Sequence, residues 1–438
     1  RREEDNTSPS AFRRLSFVRI MNICMLSRIM PAHSPGGMQD HVQTLSAGLA
    51  QRGHAVSVVT SGRTDGLEFE DMESVRVYYL RGTPPGRNTN AYWFGAARKL
   101  EELQAAEPFD ILHSQSVGAY GVYRKKLNRR YGLPLVTSFH GTHWDVLTTS
   151  WHTDVALANP WGVARFVALS LNLLYRYLYR DLWFTRGSDA VIATSDADPA
   201  KYRRLYRLPD EQIRKVYNGI DTDLFAPCAD GIQELRQSLN IPADEKIILA
   251  LARLEKDKGV QNAIAALPRV LEQTAACLVV VGEGGYRSVL ASYARKLGLE
   301  AHVRFVGAQQ LAECVRYFNL CDVFVDPTLR TDGYDLTIAE AMACAKPVIV
   351  SDVGANSTLI DTATRRDGIL IPRGDNDALA REIVRVLGDK SLARSMGETG
   401  RTKIAARFSI GAMVDGMERV YAELSERFRS RRREAEIG

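Results

Sequence analysis

The sequence has few cysteines, no long apolar run, no internal repeat and little excess charge, and each absence excludes a class of protein. Six cysteines occur in 438 residues and none forms a CxxC pair, so neither a disulfide framework nor a zinc site is predicted. The longest apolar stretch, 166–175, is about half as long as a membrane-spanning helix. A net charge of +5 is too small for a nucleic-acid-binding protein, so no nucleic-acid partner is expected.

The remaining composition is that of an ordinary globular protein, with 45% apolar and 25% charged residues. A chain of this length is too long to fold around a single hydrophobic core, so two domains are expected. Residues 1–16 are polar and of mixed charge, which predicts a disordered extension rather than a signal peptide. Reduced cysteines and the lack of a spanning segment predict a cytoplasmic protein, either free or peripheral on the cytoplasmic membrane face.

Two series of short apolar runs alternate with helical patterns. The first series lies between residues 20 and 220, and the second starts at Lys246. Alternation of this kind predicts parallel sheets built from right-handed crossovers. Two Rossmann-like halves joined near 224–245 place a ligand in the cleft at the carboxyl ends of the strands.

One segment joins two acidic residues to the start of a helix. Asp332 lies in a polar loop, and Glu340, eight residues later, lies in the helix that follows. The unpaired N–H groups and positive dipole of a helix N-terminus suit an anion such as a diphosphate. Because the acids are slightly more than two helical turns apart, they can reach opposite ends of one ligand. The segment therefore predicts a nucleotide-sugar site.

Two basic residues, Arg253 and Lys258, follow the first strand of the second series. A guanidinium fork and an ammonium group at the carboxyl end of a strand form a clamp for a diphosphate leaving group. Glu255 and Asp257 lie between them, so a solvated charged loop is the alternative. The context of the second series favours the clamp.

Two glycine-rich turns follow predicted strands. Gly36-Gly37 opens a helix, where glycine lets backbone N–H groups approach a phosphate or sugar, although turns before helices often hold glycine for other reasons. Gly282-Glu283-Gly284 resembles a dinucleotide fingerprint but fails it, because Arg287 stands at the last glycine position. This turn can line a nucleotide pocket, but the incomplete fingerprint gives little support to an enzyme that transfers hydride to a nicotinamide cofactor.

The pair Asp221 and Asp223 resembles the DxD motif with which another class of transferases holds a metal. It lies in a turn-rich stretch at the crossing between the halves, so an Asx turn is the preferred interpretation. No other cluster of histidine, cysteine and carboxylate has metal-ligand spacing, and no metal site is predicted.

His140 ends a predicted strand and precedes a glycine. At that position it can point into the cleft and donate to a sugar hydroxyl. A lone histidine is more often structural, but the position favours the cleft.

Residues 161–184 form an apolar and aromatic helical pattern with arginines along and after it. We predict a buried helix of the first half. The alternative is an interfacial helix that contacts anionic lipid, which would give a peripheral membrane contact.

Taken together, these motifs resemble the retaining family-four glycosyltransferases, which have the GT-B fold. The resemblance extends from about residue 20 to 425 and rests on a combination of pieces. These are Gly36-Gly37, 52–60, 218–221, Arg253 with Lys258, 280–284 and Glu340-Ala341-Met342.

The resemblance implies an α/β fold with two Rossmann-like parallel-sheet domains facing across a cleft. The first domain, 17–224, would bind the acceptor, and the second, 225–405, the nucleotide-sugar. A C-terminal helix, 406–438, would cross back onto the first domain and end in a basic tail.

The resemblance also implies roles for single residues. Glu340 would hold the ribose hydroxyls, Asp332 would contact the transferred sugar, and loop N–H groups would contact the phosphates and sugar. Arg253 and Lys258 match the family's diphosphate pair and His140 its cleft histidine; with Asp332 they form the implied catalytic set. The implied donor-binding residues are Gly36, Gly37, Gly282, Glu283, Val306, Gly333, Tyr334, Asp335, Leu336 and Glu340.

The sequence departs from the family pattern at two of these positions. Asp332 replaces a glutamate, and Asp335 replaces a glycine. A shorter acid and an added carboxylate beside a diphosphate predict a changed donor sugar or a lower activity.

The function implied is retaining transfer of a hexose-type sugar from a UDP- or GDP-sugar to an acceptor hydroxyl. Front-face attack would need no metal, cofactor or dedicated base. Glycan, lipid-linked, small-molecule and protein acceptors all remain open. Two alternatives are a nucleotide-sugar-binding protein with weak or no transferase activity, and a sugar-nucleotide epimerase of the same fold.

Overall fold

The computed structural model describes residues 19–437 except 35, 152–159, 332–334, 362 and 365, with residues 160 and 435–437 as backbone only. The predicted N-terminal extension therefore lies outside the described residues. So do the predicted site residues Asp332, Gly333 and Tyr334.

The N-terminal half is built on an eight-stranded sheet in the order β3-β4-β2-β1-β5-β6-β7-β8. Neighbouring strands are parallel except β3 and β4. The strands are β1 Asn22–Leu26, β2 Ala55–Ser61, β3 Phe69–Met72, β4 Val75–Leu80, β5 Ile111–Gln115, β6 Leu135–Ser138, β7 Ala190–Ala193 and β8 Ile213–Lys215. The sequence does not predict β3, because two of its four residues, FEDM, are acidic and the strand is a partly exposed edge of the sheet.

The C-terminal half is built on a six-stranded, fully parallel sheet in the order β11-β10-β9-β12-β13-β14. The strands are β9 Lys246–Leu251, β10 Ala276–Val281, β11 Val303–Gly307, β12 Val323–Asp326, β13 Val348–Ser351 and β14 Ile369–Ile371. Residues of β10, β12 and β13 are buried throughout. Helices that cover both faces of a parallel sheet explain these continuous apolar runs.

Helices connect the strands of both sheets. Those of the N-terminal half are α1 Gly37–Gln51, α2 Asn90–Ala106, α3 Tyr120–Arg124, α4 Leu127–Tyr131, α5 His143–Ser150, α6 Pro160–Arg176, α7 Leu182–Arg186 and α8 Asp198–Tyr206. A π-helical turn, Tyr177–Asp181, joins α6 to α7. Those of the C-terminal half are α9 Ile232–Ser238, α10 Val260–Leu271, α11 Arg287–Lys296, α12 Leu311–Leu320, α13 Leu336–Ala343, α14 Asn356–Leu359, α15 Asn376–Gly388 and α16 Lys390–Arg407. The last helix of the chain is α17 Ile410–Ile437. None of the described helices combines the length and hydropathy that crossing a bilayer requires.

The last helix, α17, packs on the N-terminal half. Its buried side chains, such as Met417 and Leu424, share a core with α1 and the first sheet, and each such side chain contributes ~1.5–3 kcal/mol by burial. The Tyr421 hydroxyl hydrogen-bonds His113 Nδ1 at 2.6 Å, and His54 Nε2 lies 3.0 Å from a Glu418 carboxylate oxygen. The two-domain α/β fold with a returning helix is therefore confirmed. The domain limits 17–224, 225–405 and 406–438 stay a prediction.

Candidate active site

Each sheet has a switch point where a ligand crevice is expected. In the C-terminal sheet β9 lies between β10 and β12, and in the N-terminal sheet β1 lies between β2 and β5. Connections that leave such strands in opposite directions open a crevice at the carboxyl ends. Among the predicted site residues that the structure describes, Gly36 and Gly37 follow β1, and Arg253 and Lys258 follow β9.

Lys258 is fixed at the end of a tight turn after β9. Residues Lys256–Lys258 form one turn of 3₁₀ helix, followed by Gly259 in a left-handed conformation with φ +72°. A Cβ at Gly259 would lie 1.8 Å from the carbonyl oxygen of Pro327, so only glycine allows this approach. The turn therefore presses Lys258 against the loop after β12, and Lys258 is 7% exposed.

The Lys258 ammonium is paired with the Asp335 carboxylate, and the buried carboxyl group of Asp326 lies close enough to Asp335 for the two to influence each other's pKa. Burial, with the neighbouring Asp335 second, raises the pKa of Asp326 well above its usual range. Burial alone would raise the pKa of Asp335 too, but Lys258 and Arg330 hold it below its ordinary value. Two carboxyl groups thus share one ionised charge, carried by Asp335 and neutralised by Lys258.

Helix α13 begins directly after Asp335. Asp335 is its N-cap residue, but the carboxylate turns to Lys258 and makes no capping hydrogen bond to the helix. The N-terminus of α13 and Lys258 therefore adjoin one another, which is the arrangement a diphosphate site requires.

Glu340 lies on α13, at the boundary between the two halves. Burial, followed by the charges of Asp40 on α1 and Asp335, raises the pKa of Glu340 to about 8. Burial likewise raises the pKa of Asp40. The N-terminal half thus contributes Asp40 to the surroundings of Glu340, a contribution that the sequence does not reveal.

Gly36 and Gly37 lie opposite the start of α13. A Cβ at Gly37 would lie 3.7 Å from Leu336 Cδ1, so the predicted residues Gly37 and Leu336 come within contact range of each other. Gly36 has φ +156°, and a Cβ there would meet Gln39 Oε1 at 2.9 Å.

The crevice of the N-terminal half contains a cluster of histidines. His140 Nε2 hydrogen-bonds Gln115 Oε1 at 2.7 Å, and the ring centroids of His140 and His41 are 4.9 Å apart. Burial lowers the pKa of His41 to about 4, and burial together with His41 and His113 holds the pKa of His140 well below its usual range. His140 therefore enters the crevice as a neutral imidazole.

His41 is a residue that sequence reasoning missed. It is 5% exposed, and among the described residues neither ring nitrogen has a hydrogen-bond partner. Its position one turn after Gly37 on α1 is the signal that could have identified it, since residues four apart share a helix face.

The glycines of the turn after β10 have a packing role. At Gly282, with φ +134°, a Cβ would lie 1.9 Å from the Ala252 carbonyl oxygen. The turn thus packs against the segment that carries Arg253. Glu283, an exposed residue, lies 3.4 Å from Arg287, and the half-buried Val306 is the penultimate residue of β11, at the same edge of the sheet.

Arg253 lies at this edge but is not buried. Its side chain is 62% exposed, and its guanidinium lies 3.3 Å from Glu255. The structure therefore brings Lys258, Asp335, Leu336 and Glu340 together and places Arg253 at the surface beside them.

Asp221 forms the predicted Asx turn. Its carboxylate accepts hydrogen bonds from the N–H groups of Asp223 at 3.0 Å and Leu224 at 2.9 Å, which confirms that interpretation. Across the described parts of the chain, no group of three or more His, Cys, Asp or Glu residues could hold a metal ion.

The helical segment 160–186 is not the buried helix that the sequence predicts. Leu173 and Phe184 are buried, but Trp161 is 83%, Leu171 64% and Tyr179 68% exposed. The prediction is wrong because an apolar helical pattern indicates an amphipathic or buried helix without showing what covers each face.

The two halves touch beside the crevice. The N–H group of Thr331, just before the acidic loop, donates to Thr149 Oγ1 of α5 at 3.3 Å. The Asp196 N–H group donates to Thr358 Oγ1 at 3.0 Å. The crevices of the two sheets therefore form one cleft, bounded by contacts between the halves.

Known proteins match both halves of the chain. A family model of group 1 glycosyl transferases matches residues 231–403, and a model of Glycosyltransferase Family 4 matches residues 35–224. N-acetyl-alpha-D-glucosaminyl L-malate synthase of Bacillus anthracis is 26% identical over 386 residues, which cover 86% of this chain and 91% of that protein.

Solved structures show the same fold. Sucrose-phosphate synthase of Thermosynechococcus elongatus superposes with a TM-score of 0.73 at 23% identity, covering 92% of this chain and 99% of that one. Anabaena HepE in complex with UDP and glucose superposes with a TM-score of 0.69 at 21% identity, covering 92% and 99%. The chain is thus a GT-B glycosyltransferase that belongs to group 1 and carries a Family 4 N-terminal domain.

Proposed function

We propose that this glycosyltransferase moves a hexose-type sugar from a UDP- or GDP-sugar to an acceptor hydroxyl with retention of anomeric configuration. The observation that supports the proposal is the pairing of Lys258 with Asp335, the residue at the N-terminus of α13, the helix that also carries Glu340. Gly37 of the other half lies within contact range of Leu336 in the first turn of the same helix. HepE, which shares the fold, was crystallised with UDP and glucose, and this supports a nucleotide-sugar donor.

The diphosphate lies, in this proposal, between Lys258 and the first turn of α13, with Arg253 folding in from the surface. As the bond between the sugar and the phosphate breaks, negative charge grows on the leaving oxygen. A fixed ammonium and the positive end of a helix stabilise that charge without moving.

Glu340 is placed to bind the two ribose hydroxyls of the donor. A hydroxyl pair can donate to its carboxylate, and the carboxyl group can donate back when it is protonated. Because Glu340 is half-buried, a polar group left unpaired there costs free energy, and each such hydrogen bond contributes to donor affinity.

The N-terminal half would bind the acceptor and the transferred sugar. His140 and His41, both neutral, are suited to hydrogen bonds with sugar hydroxyls and not to charge pairing. The acceptor hydroxyl would attack from the face of the leaving group, and the departing phosphate oxygen would take its proton. Closure of the cleft would exclude water and limit hydrolysis of the donor.

The proposal involves no metal, no cofactor beside the donor and no nucleic acid. It places the enzyme in the cytoplasm, where its cysteines stay reduced. A glycan, a lipid-linked molecule or a small molecule can each serve as acceptor.

The proposal is tested by donor binding followed by turnover. Purified protein is screened for thermal stabilisation by UDP-, GDP- and ADP-sugars, since a ligand that binds only the native state raises the melting temperature. With the donor that binds, Arg253→Ala, Lys258→Ala and Glu340→Ala should each lower transfer at least about a hundredfold. Proton NMR of the product reports whether the anomeric configuration is retained.

Arg269→Ala is the matched control, because Arg269 is exposed in the same half and pairs at 2.6 Å with the exposed Asp377. It should transfer at the wild-type rate. Near-normal turnover by Glu340→Ala would refute the assignment of the donor site.

One observation favours a second candidate, a nucleotide-sugar-binding protein with weak or no transferase activity. The Asp335 carboxylate occupies the Lys258 ammonium that the donor would need. Calorimetric binding of a donor without transfer or hydrolysis, across a panel of acceptors, would favour this candidate.

A further inference from the structure

The outer face of the helical segment 160–186 is an exposed apolar ridge. Val167, Leu171, Leu174 and Leu178 are between 45% and 64% exposed. Their three- and four-residue spacing places them on one face of the helix. Trp161, at 83%, extends the exposed apolar surface to the start of the segment. The segment of 27 residues is about 40 Å long at 1.5 Å per residue.

The opposite face anchors the segment to the N-terminal half. Phe184 is fully buried, with its ring centroid 5.7 Å from that of Tyr123. Asp181 is buried and pairs with Arg180 at 2.5 Å and with His143 of α5 at 3.0 Å. The ridge is therefore the outward side of a firmly attached helix.

The exposed charges of the segment 160–186 itself are all of one sign. Arg165, Arg176 and Arg186 are exposed, and Asp181, the single acidic residue of 160–186, is buried and paired. An apolar strip bordered by arginine and by tyrosine and tryptophan matches the boundary between anionic headgroups and acyl chains.

We propose that the ridge docks this glycosyltransferase on the surface of an anionic lipid bilayer. The segment would lie in the plane of the interface, with leucine and valine in the acyl region and the arginines at the phosphates. A two-fold pairing of the ridge with a second copy is disfavoured, because it would bring arginines of equal charge together.

The ridge continues toward the mouth of the cleft. Trp151, at the end of α5 and 51% exposed, lies with its ring centroid 5.4 Å from Phe166. Thr149 of the same helix accepts a hydrogen bond from Thr331, next to the acidic loop. If the proposed function holds, an acceptor carried by a lipid therefore reaches the cleft from the docked side.

The test is co-flotation of the full chain with lipid vesicles, which requires no catalysis and so fails independently of the proposed function. One set of vesicles is phosphatidylcholine alone, and the other contains about one-third phosphatidylglycerol. The wild type should float with the anionic set and be released by high salt. Leu171→Glu with Leu178→Glu, and Arg165→Glu with Arg176→Glu, should each weaken binding at least about tenfold.

Val289→Glu with Leu311→Glu is the matched control, since both residues are exposed and apolar, at 47% and 54%, in the other half. This control should bind like the wild type, and circular dichroism should give all variants the wild-type melting temperature. Three results would overturn the proposal: no flotation of the wild type, equal loss in the control, or a dimer in sedimentation that the ridge substitutions dissociate without any vesicle binding.

Discussion

Replacing Asp335 by asparagine should tighten the binding of a nucleoside diphosphate. In the free protein the Asp335 carboxylate holds the Lys258 ammonium, and the two side chains are only 22% and 8% exposed. A diphosphate must displace that carboxylate before it can use the same ammonium. Asparagine keeps the size of the side chain and removes its charge.

The magnitude follows from the contact that is lost. A hydrogen bond to a charged group contributes ~1.5–3 kcal/mol. Since each ~1.4 kcal/mol changes a binding constant tenfold, UDP or GDP should bind the Asp335→Asn variant about 10- to 100-fold more tightly. Isothermal titration calorimetry measures this directly. The free variant should melt at a lower temperature, because a buried lysine has lost its counter-charge.

Asp326→Asn is the matched control for this experiment. Burial, with the neighbouring Asp335 second, raises the pKa of Asp326 well above its ordinary value, which favours the uncharged carboxyl group. Its amide should therefore leave the affinity for the nucleotide almost unchanged. A dissociation constant of Asp335→Asn that stays within about twofold of the wild type, or an equal gain in Asp326→Asn, would refute the competition between Asp335 and the donor.

Two further predictions concern stability. The pKa of Glu340 is raised from 4.5 to about 8, so its contribution to stability is full below the unfolded-state pKa and is lost as the pH rises through about 8. Glu340→Gln removes this titration. The variant should therefore melt at a higher temperature than the wild type, by an amount that grows from pH 5 to 8 and is constant above it. A gain independent of pH would contradict this. Gly259→Ala forces a Cβ to within 1.8 Å of the Pro327 carbonyl oxygen, whereas Gly374, at a similar φ of +74°, has open space around it. In urea unfolding, Gly374→Ala should lower the free energy of unfolding by about 1 kcal/mol, and Gly259→Ala should lower it distinctly more. Equal losses of stability would show that the close approach at Gly259 is not rigid.

The fold is largely predictable from the sequence because of how its sheets are covered. Strands such as β10 and β13 are buried on both faces, so each reads as a short continuous apolar run. The acidic edge strand β3 carries no such signal. The apolar pattern of segment 160–186 predicts a helix, but it does not show what covers each helix face, because that covering depends on tertiary contacts.

The candidate site is predictable only where chain order and strand ends determine it. Lys258 and Glu340 follow strands that flank one switch point, so their proximity follows from topology. The partners Asp326 and His41 enter through contacts between distant segments. Asp326 ends β12, and the rule about strand ends that identifies Arg253 also points to it. The raised pKa of Asp326, however, depends on burial and on the neighbouring Asp335, which no local pattern encodes.

The packing of α17 on the N-terminal half has a consequence for dissecting the molecule. The chain passes from the N-terminal half to the C-terminal half and back, and Ile220 and Ser409 pair where the two crossings meet. The N-terminal half is therefore not a contiguous stretch of sequence, whereas the C-terminal half is. A fragment that stops near residue 220 would leave the side of the first core that Met417 and Leu424 normally cover exposed to water. Attaching residues 410–434 to such a fragment through a flexible linker would restore that cover and yield an isolated N-terminal half for binding studies.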